Sequence, residues 1–387
     1  MTPAGADPRA ARERLSPGLV VALATINGLG FSGAMSVPLW LPDVLRGDRM
    51  SDHAAGLLAS GQLAAAAIMI VLSALLLKRF SPRLIVRGAG LLAALGYGGA
   101  ALDALPLFVA GILLAGAAAG SCLPIVNGVA ARSGYATRIF PLLVTIQVAF
   151  GMAFYATVPA LQQWAGPWVI FAVLAGLGVI NLLTAGWLPE AARVETGPAA
   201  KVSGITSGEI AALAGLTLLF MGHESIISFA VILGEGHGMS RELVGSVLSA
   251  MMASAILAPA AGAWLSRGRD FAILIAVIMA VSASVMIVLG AAPDWLLFSA
   301  CVLFLNFCTT LLVPLFYCRL AELNPHGSAG AMAPACLIVG ASAGPTIGVL
   351  AGAGTAPLRL ASVAAACLLA GALAQVLARV RRPPSAT

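Results

Sequence analysis

The chain has 387 residues, 60% of them apolar and only 9% charged, whereas about a quarter of the residues in soluble globular domains carry charge. That composition excludes a soluble fold and makes lipid the solvent. The formal net charge of +6 does not point to nucleic acid, because the basic residues form short clusters between apolar runs, as in loops that face the cytoplasm.

In chain order, Arg9, Arg12 and Arg14 precede an apolar run from Pro17 to Leu41. It is too long for a signal-peptide core, and no small-residue cleavage site follows a short one. It is therefore expected to stay as the first span, after a cytoplasmic tail over 1–16. Cutting at charged, Pro-rich and Gly-rich punctuation gives eleven further runs, at about 54–77, 84–102, 105–130, 139–161, 167–188, 209–233, 243–265, 271–291, 295–318, 329–351 and 358–378. With the N-terminus inside, one face collects Lys78, Arg79, Arg83, Arg87, Arg132, Arg138, Arg193, Lys201, Arg267, Arg269, Arg319, Arg379, Arg381 and Arg382 besides the three tail arginines. The opposite face holds only Arg46, Arg49, Arg241 and Arg359. A missed helix would scramble this alternation, so the asymmetry supports both the twelve spans and their orientation.

Residues 189–208, with Pro189, Glu190, Arg193, Glu195, Pro198 and Lys201, read as a cytoplasmic linker between a half at 17–188 and a half at 209–378. A second tail, 379–387, follows. The halves repeat. Arg49-Met50-Ser51 with Gly56 and Ser60 matches Gly238-Met239-Ser240 with Gly245 and Ser249 at an offset of 189, and Leu123-Pro124 matches Val313-Pro314 at 190. Two copies that start on the same side after six spans imply parallel halves related by an axis along the membrane normal.

Twelve spans in such a repeat, joined by a cytoplasmic linker, resemble the major facilitator superfamily of secondary transporters over nearly the whole chain. The resemblance implies an all-α integral membrane fold, with a central cavity lined by spans one, four, seven and ten. The family's loop after span two typically reads Gly-x-x-x-Asp-Arg/Lys; here Ser73 to Arg83 keeps Lys78, Arg79 and Arg83 but has Leu77 in the acidic place. The loop after span eight keeps Gly262, Arg267 and Arg269. In span eleven, Gly340 to Gly348 resembles the antiporter glycine-proline motif, but the family carries that motif in span five, so antiport is not inferred.

Span seven places His223 and Glu224 within roughly 5 Å of the bilayer midplane, at 1.5 Å rise per residue. An ionisable residue there costs about 3 kcal/mol on insertion scales and is a candidate functional group. On the repeat, Phe31 to Met35 aligns with Phe220 to Glu224, so the ionisable pair interrupts the pattern in one half only. Glu224 is the expected proton-coupling residue, with His223 beside it. The plainer reading is a neutral, hydrogen-bonded acid that holds two helices together. Thr217, Met221, Glu224 and Ser228 share one helix face, and His223 points about 100° away.

Asn27, Gln147, Asn306, Met221 and Ser228 are the expected substrate contacts, although interhelical amide bonds worth about 1 kcal/mol are common in membrane bundles. Lys78, Arg79, Arg83, Arg132, Arg138, Arg267, Arg269 and Arg319 are expected to anchor topology or pair at an inner gate. No Lys or Arg lies near the middle of a span, which favours a neutral or cationic solute over one with fixed negative charge. The cysteines Cys122, Cys301, Cys308, Cys318, Cys336 and Cys367 all lie within apolar runs and read as packing residues, not as a disulfide framework or a metal site.

Three rival readings remain open to these residues. His223-Glu224 begins the metalloprotease motif H-E-x-x-H, but its fifth position is Ile227. Met221, His223, Met239, Met251 and Met252 could serve a copper importer, since thioether and imidazole suit Cu(I). A non-transporting scaffold or receptor would make no use of an embedded acid. The expectation is a monomeric, proton-coupled transporter of a small organic molecule in a bacterial inner membrane. It would not be an enzyme and would have no cofactor or bound metal; its partners would be solute, protons and the bilayer, with no nucleic acid.

Overall fold

The structure, a computed structural model, describes residues 16–47, 49–102, 104–132, 136–188, 206–323 and 328–380. The tail before residue 16, linker residues 189–205 and the end beyond residue 380 lie outside it, as do the side chains of Arg132 and Arg138. Among the described residues there is no strand. The chain forms helices α1 (Pro17–Arg46), α2 (Asp52–Leu76), α3 (Pro82–Ala100), α4 (Leu105–Arg132), α5 (Ala136–Ala165), α6 (Val169–Thr184), α7 (Ser207–Ile227), α8 (Ala230–Gly236), α9 (Arg241–Ser254), α10 (Ala258–Leu265), α11 (Phe271–Gly290), α12 (Trp295–Leu323), α13 (Ser328–Leu350) and α14 (Pro357–Val380).

Each of the twelve apolar runs is helical. Ten described helices are long and apolar enough to cross a bilayer, and α9 with α10, bent by 42°, is an eleventh if read as one span. The remaining run, α3, is diluted by Arg83 and Arg87 near its start. The bend between α9 and α10 has a local cause. Pro259 has no N–H to offer the preceding turn and its ring crowds the carbonyl there, so Ala255 to Ala258 close three-residue steps instead.

The break between α7 and α8 has no proline. The Ser228 amide still donates to the Glu224 carbonyl (3.1 Å), but the Phe229 amide reaches only Ile226 (3.1 Å). One tightened step thus follows directly on the acid-bearing turn, a feature that often marks a hinge.

Cα packing divides the chain into two compact units, Met1–Gly33, Ile68–Gln147 and Phe171–Glu195 in the first, and Ala34–Ala67, Val148–Ile170 and Thr196–Thr387 in the second. In the first unit α3 and α4 pack most closely. An added Cβ on Gly96 would lie 2.7 Å from the Gly111 carbonyl, an approach only small residues permit. In the second unit α7 sits between α13 and α14, and α11 packs on α14.

Candidate functional site

Helix α7 is set from its first turn. Thr206 caps it by accepting from the Glu209 amide (3.3 Å), while Glu209 accepts from the Thr206 amide (2.7 Å), a reciprocal capping box. Five turns later come His223 and Glu224. The Nδ1 of His223 lies 3.5 Å from Oε1 of Glu224, and their side chains are only 8% and 15% exposed. Neither ring nitrogen of His223 has a hydrogen-bond partner among the described residues. A buried unsatisfied polar atom typically costs about 1–3 kcal/mol. His237, at the end of α8, makes the contrast: its ring nitrogens lie 2.6 and 3.1 Å from the carbonyl oxygens of Leu233 and Ala292.

The backbone around Glu224 is gripped by α13. An added Cβ on Gly344 would lie 2.6 Å from the Glu224 Cβ and 2.8 Å from the Ser225 amide nitrogen. Gly340 meets Thr217 and Gly348 meets Phe229 as closely, so the glycines at every fourth position of α13 form one track along α7. This is the role of the glycine-proline stretch singled out in span eleven. Glu224 also lies within electrostatic reach of the buried Tyr155 on α5.

Of the expected stripe, Thr217, Met221 and Glu224 are each half-buried, consistent with a common face. Ser228 is buried at the break, and its hydroxyl has no partner among the described residues. The two central asparagines each commit an amide to a neighbouring helix. Asn27 donates to the Leu143 carbonyl (3.1 Å), and Asn306 donates to the Met251 carbonyl (2.8 Å), a group released by the α9 to α10 break. Gln147 is half-buried on α5.

The methionines of the copper reading disperse into packing: Met239 lies against Gly234, and the Met252 sulfur would lie 2.8 Å from an added Cβ on Gly151. Among the described residues no three His, Cys, Asp or Glu side chains are placed to hold a metal.

The repeat signature also acquires a structural meaning in the second unit. Gly56 on α2 faces Val349 and the Pro345 carbonyl of α13, and the Ser60 hydroxyl shares a 2.7 Å hydrogen bond with that of Thr346. The matching Gly245 on α9 faces Pro159 and the Tyr155 carbonyl of α5, and Ser249 donates to the Met152 carbonyl (3.0 Å). The Gly-x-x-x-Ser pattern therefore builds two equivalent seams.

A charge cluster missed in the sequence lies at the ends of α1, α8 and α9. Arg241 donates to both carboxylate oxygens of Asp43 (2.6 and 3.0 Å) and its Nε lies 3.5 Å from Glu235, which also pairs with Arg46. Gln162 approaches Asp43 at 3.5 Å. Arg46 and Glu235 are 189 residues apart, the repeat offset. Two equivalent positions can touch only near the axis relating the copies, so the register held a signal for this pair.

The basic residues divide. Lys78 and Arg79 are exposed and form no ion pair among the described residues, whereas Arg83 donates to the Leu188 carbonyl (2.6 Å). Arg267 and Arg269 are exposed, and the neighbouring Asp270 pairs with Arg379 (2.9 Å). Burial works to raise the Asp270 pKa, but the Ile273 amide, Arg379 and the Ala272 amide outweigh it and hold the carboxyl below its ordinary value. Arg319 is buried with Glu322 at 3.2 Å.

No protein-family model and no curated protein sequence matches the chain. Solved structures do. The nucleoside transporter NupG superposes with a TM-score of 0.75 at 14% identity, over 93% of this chain and 99% of that one. A POT family peptide transporter gives 0.75 at 13%, over 97% and 98%. A bacterial homologue of the human lysosomal transporter Spinster, in an inward-facing and occupied conformation, gives 0.74 at 17%, over 98% and 100%. The chain shares the multi-pass helical fold of these transporters.

Proposed function

We propose that the chain is a secondary active transporter that moves a small neutral or cationic organic solute by alternating access, driven by the proton gradient across a bacterial inner membrane, with both termini cytoplasmic. The observation that carries this reading is the His223-Glu224 pair at 3.5 Å, with both His223 ring nitrogens lacking a hydrogen-bond partner among the described residues, on a helix that breaks one turn later. One of the structures with this fold is described as a D-xylose-proton symporter, which is consistent with proton coupling here.

In this reading Glu224 is the group that gains and loses the proton. Protonation neutralises the carboxylate and lowers the cost of occluding it. Deprotonation leaves a charge that water or a cationic solute relieves, which favours reopening. His223 stands close enough to share the proton after a small side-chain movement. The glycine track fixes the Glu224 backbone, so the response falls to the side chain and to the step at Ser228 and Phe229. The α2 to α13 and α5 to α9 seams, with the charge cluster at their ends, would close the site on the side away from the cytoplasm.

The test is transport in proteoliposomes under an imposed pH step, with the solute first found by thermal-shift screening of purified protein. Glu224→Gln is expected to abolish accumulation against a gradient while leaving solute exchange measurable. Accumulation as strong as in the wild type would refute the coupling role.

A further inference from the structure

The C-terminal half of α2 leaves an apolar surface that ends in two cations. Met69, Leu72 and Leu76 follow one another at helical spacing, and with Leu75, Lys78 and Arg79 they line a groove of about 470 Å³. Leu72 and Leu75 are 43% and 53% exposed. The chain stays wound past Leu76, because the Lys78 amide donates to Leu75 (3.1 Å) and the Arg79 amide to Leu76 (2.9 Å). The two cations therefore stand at the end of the apolar stripe, with the exposed ring of Phe80 just beyond.

Neither cation is neutralised within the described residues, and the reason lies in the sequence. Leu77 occupies the place where the resembled family carries an acid, and the next helix is capped by Ser81, a neutral group. The matching loop of the other half is capped by Asp270, which also pairs with Arg379. One basic loop thus has an acid beside it, which is paired with Arg379, and the other has none among the described residues.

We propose that this groove is a binding site for an anionic phospholipid, with an acyl chain along Met69, Leu72 and Leu76 and the headgroup phosphate between Lys78 and Arg79. The apolar stripe suits a hydrocarbon chain and no soluble anion. Two cations with no ion-pair partner among the described residues select net negative charge at the membrane surface, since a zwitterionic headgroup brings its own cation. The inference goes beyond the transport reading and does not depend on which solute is carried.

Native mass spectrometry of the purified full chain, exchanged against equal amounts of phosphatidylglycerol and phosphatidylcholine, tests it. The wild type is expected to retain phosphatidylglycerol preferentially, and K78Q/R79Q to lose that preference by roughly 10- to 30-fold. The control R267Q/R269Q removes the same charge from the other loop and is expected to keep most of the preference. Both variants change exposed side chains, and a melting measurement in detergent confirms that each remains folded. Undiminished phosphatidylglycerol retention by K78Q/R79Q would overturn the proposal, as would an equal loss in the control, which would reduce the effect to bulk charge.

Discussion

Replacing Arg241 by alanine removes three contacts at once, two donated to Asp43 and one near Glu235. The carboxylates left behind are only 20% and 22% exposed. A hydrogen bond to a charged group contributes about 1.5–3 kcal/mol, and breaking a buried pair costs about 3–5 kcal/mol. Asp43 would keep a weak neighbour in Gln162 and Glu235 would keep Arg46, so about 2–4 kcal/mol is the expected loss. If the cluster joins the ends of α1 and α5 to α8 and α9 in one conformational state only, that loss shifts the equilibrium away from the state by roughly 30- to 1000-fold. A double-mutant cycle with Asp43→Ala, read by thermal unfolding in detergent, should give a coupling energy of about 1.5–3 kcal/mol. Thr355, between α13 and α14, lines a pocket with Arg46 of the cluster; in a cysteine-free background, labelling of a Thr355→Cys reporter by a membrane-impermeant thiol reagent should rise with Arg241→Ala. Additive single substitutions, with a coupling below about 0.5 kcal/mol, would refute the cluster as a cooperative unit.

Other outcomes follow from the same geometry. Gly344→Val should disrupt the grip on Glu224, since even one methyl would sit 2.6 Å from the Glu224 Cβ; overpacking costs about 1–3 kcal/mol, and both melting temperature and transport should fall. Asn306→Ala should destabilise the protein by about 1 kcal/mol by removing the interhelical bond to the Met251 carbonyl, which keeps the Ser254 hydroxyl as a donor, measured as a lower melting temperature. Asp270 is held below its ordinary pKa, so its contribution is present above the unfolded carboxylate range near pH 4 and is lost as pH falls through the lower folded value. Wild type and Asp270→Asn should therefore differ in melting temperature at neutral pH and converge in acid.

What could be read in the sequence was local. The apolar runs, their punctuation and the lopsided basic residues depend on neighbours within a turn or a loop, and each run is helical in the structure. Glu224 stood out because a charge inside an apolar run is costly wherever the helix packs. The capping of α7 by Thr206 and Glu209 is likewise a pattern within four residues.

The rest required side chains far apart in the chain to meet. Arg241 and Asp43 are 198 residues apart, and nothing in either loop alone distinguishes a paired arginine from one that merely marks topology. Asn306 reads as a candidate substrate contact because it lies at mid-span; only the packing of α12 on α9 shows that its amide also meets a carbonyl of the broken helix. The repeated glycines were visible, but not that Gly56 and Gly245 build matching seams while Gly344 holds Glu224. Hydropathy sorts residues by solvent and periodicity sorts them by face. Which two faces meet is settled by shape and charge complementarity between helices, information that exists only once the chain has folded.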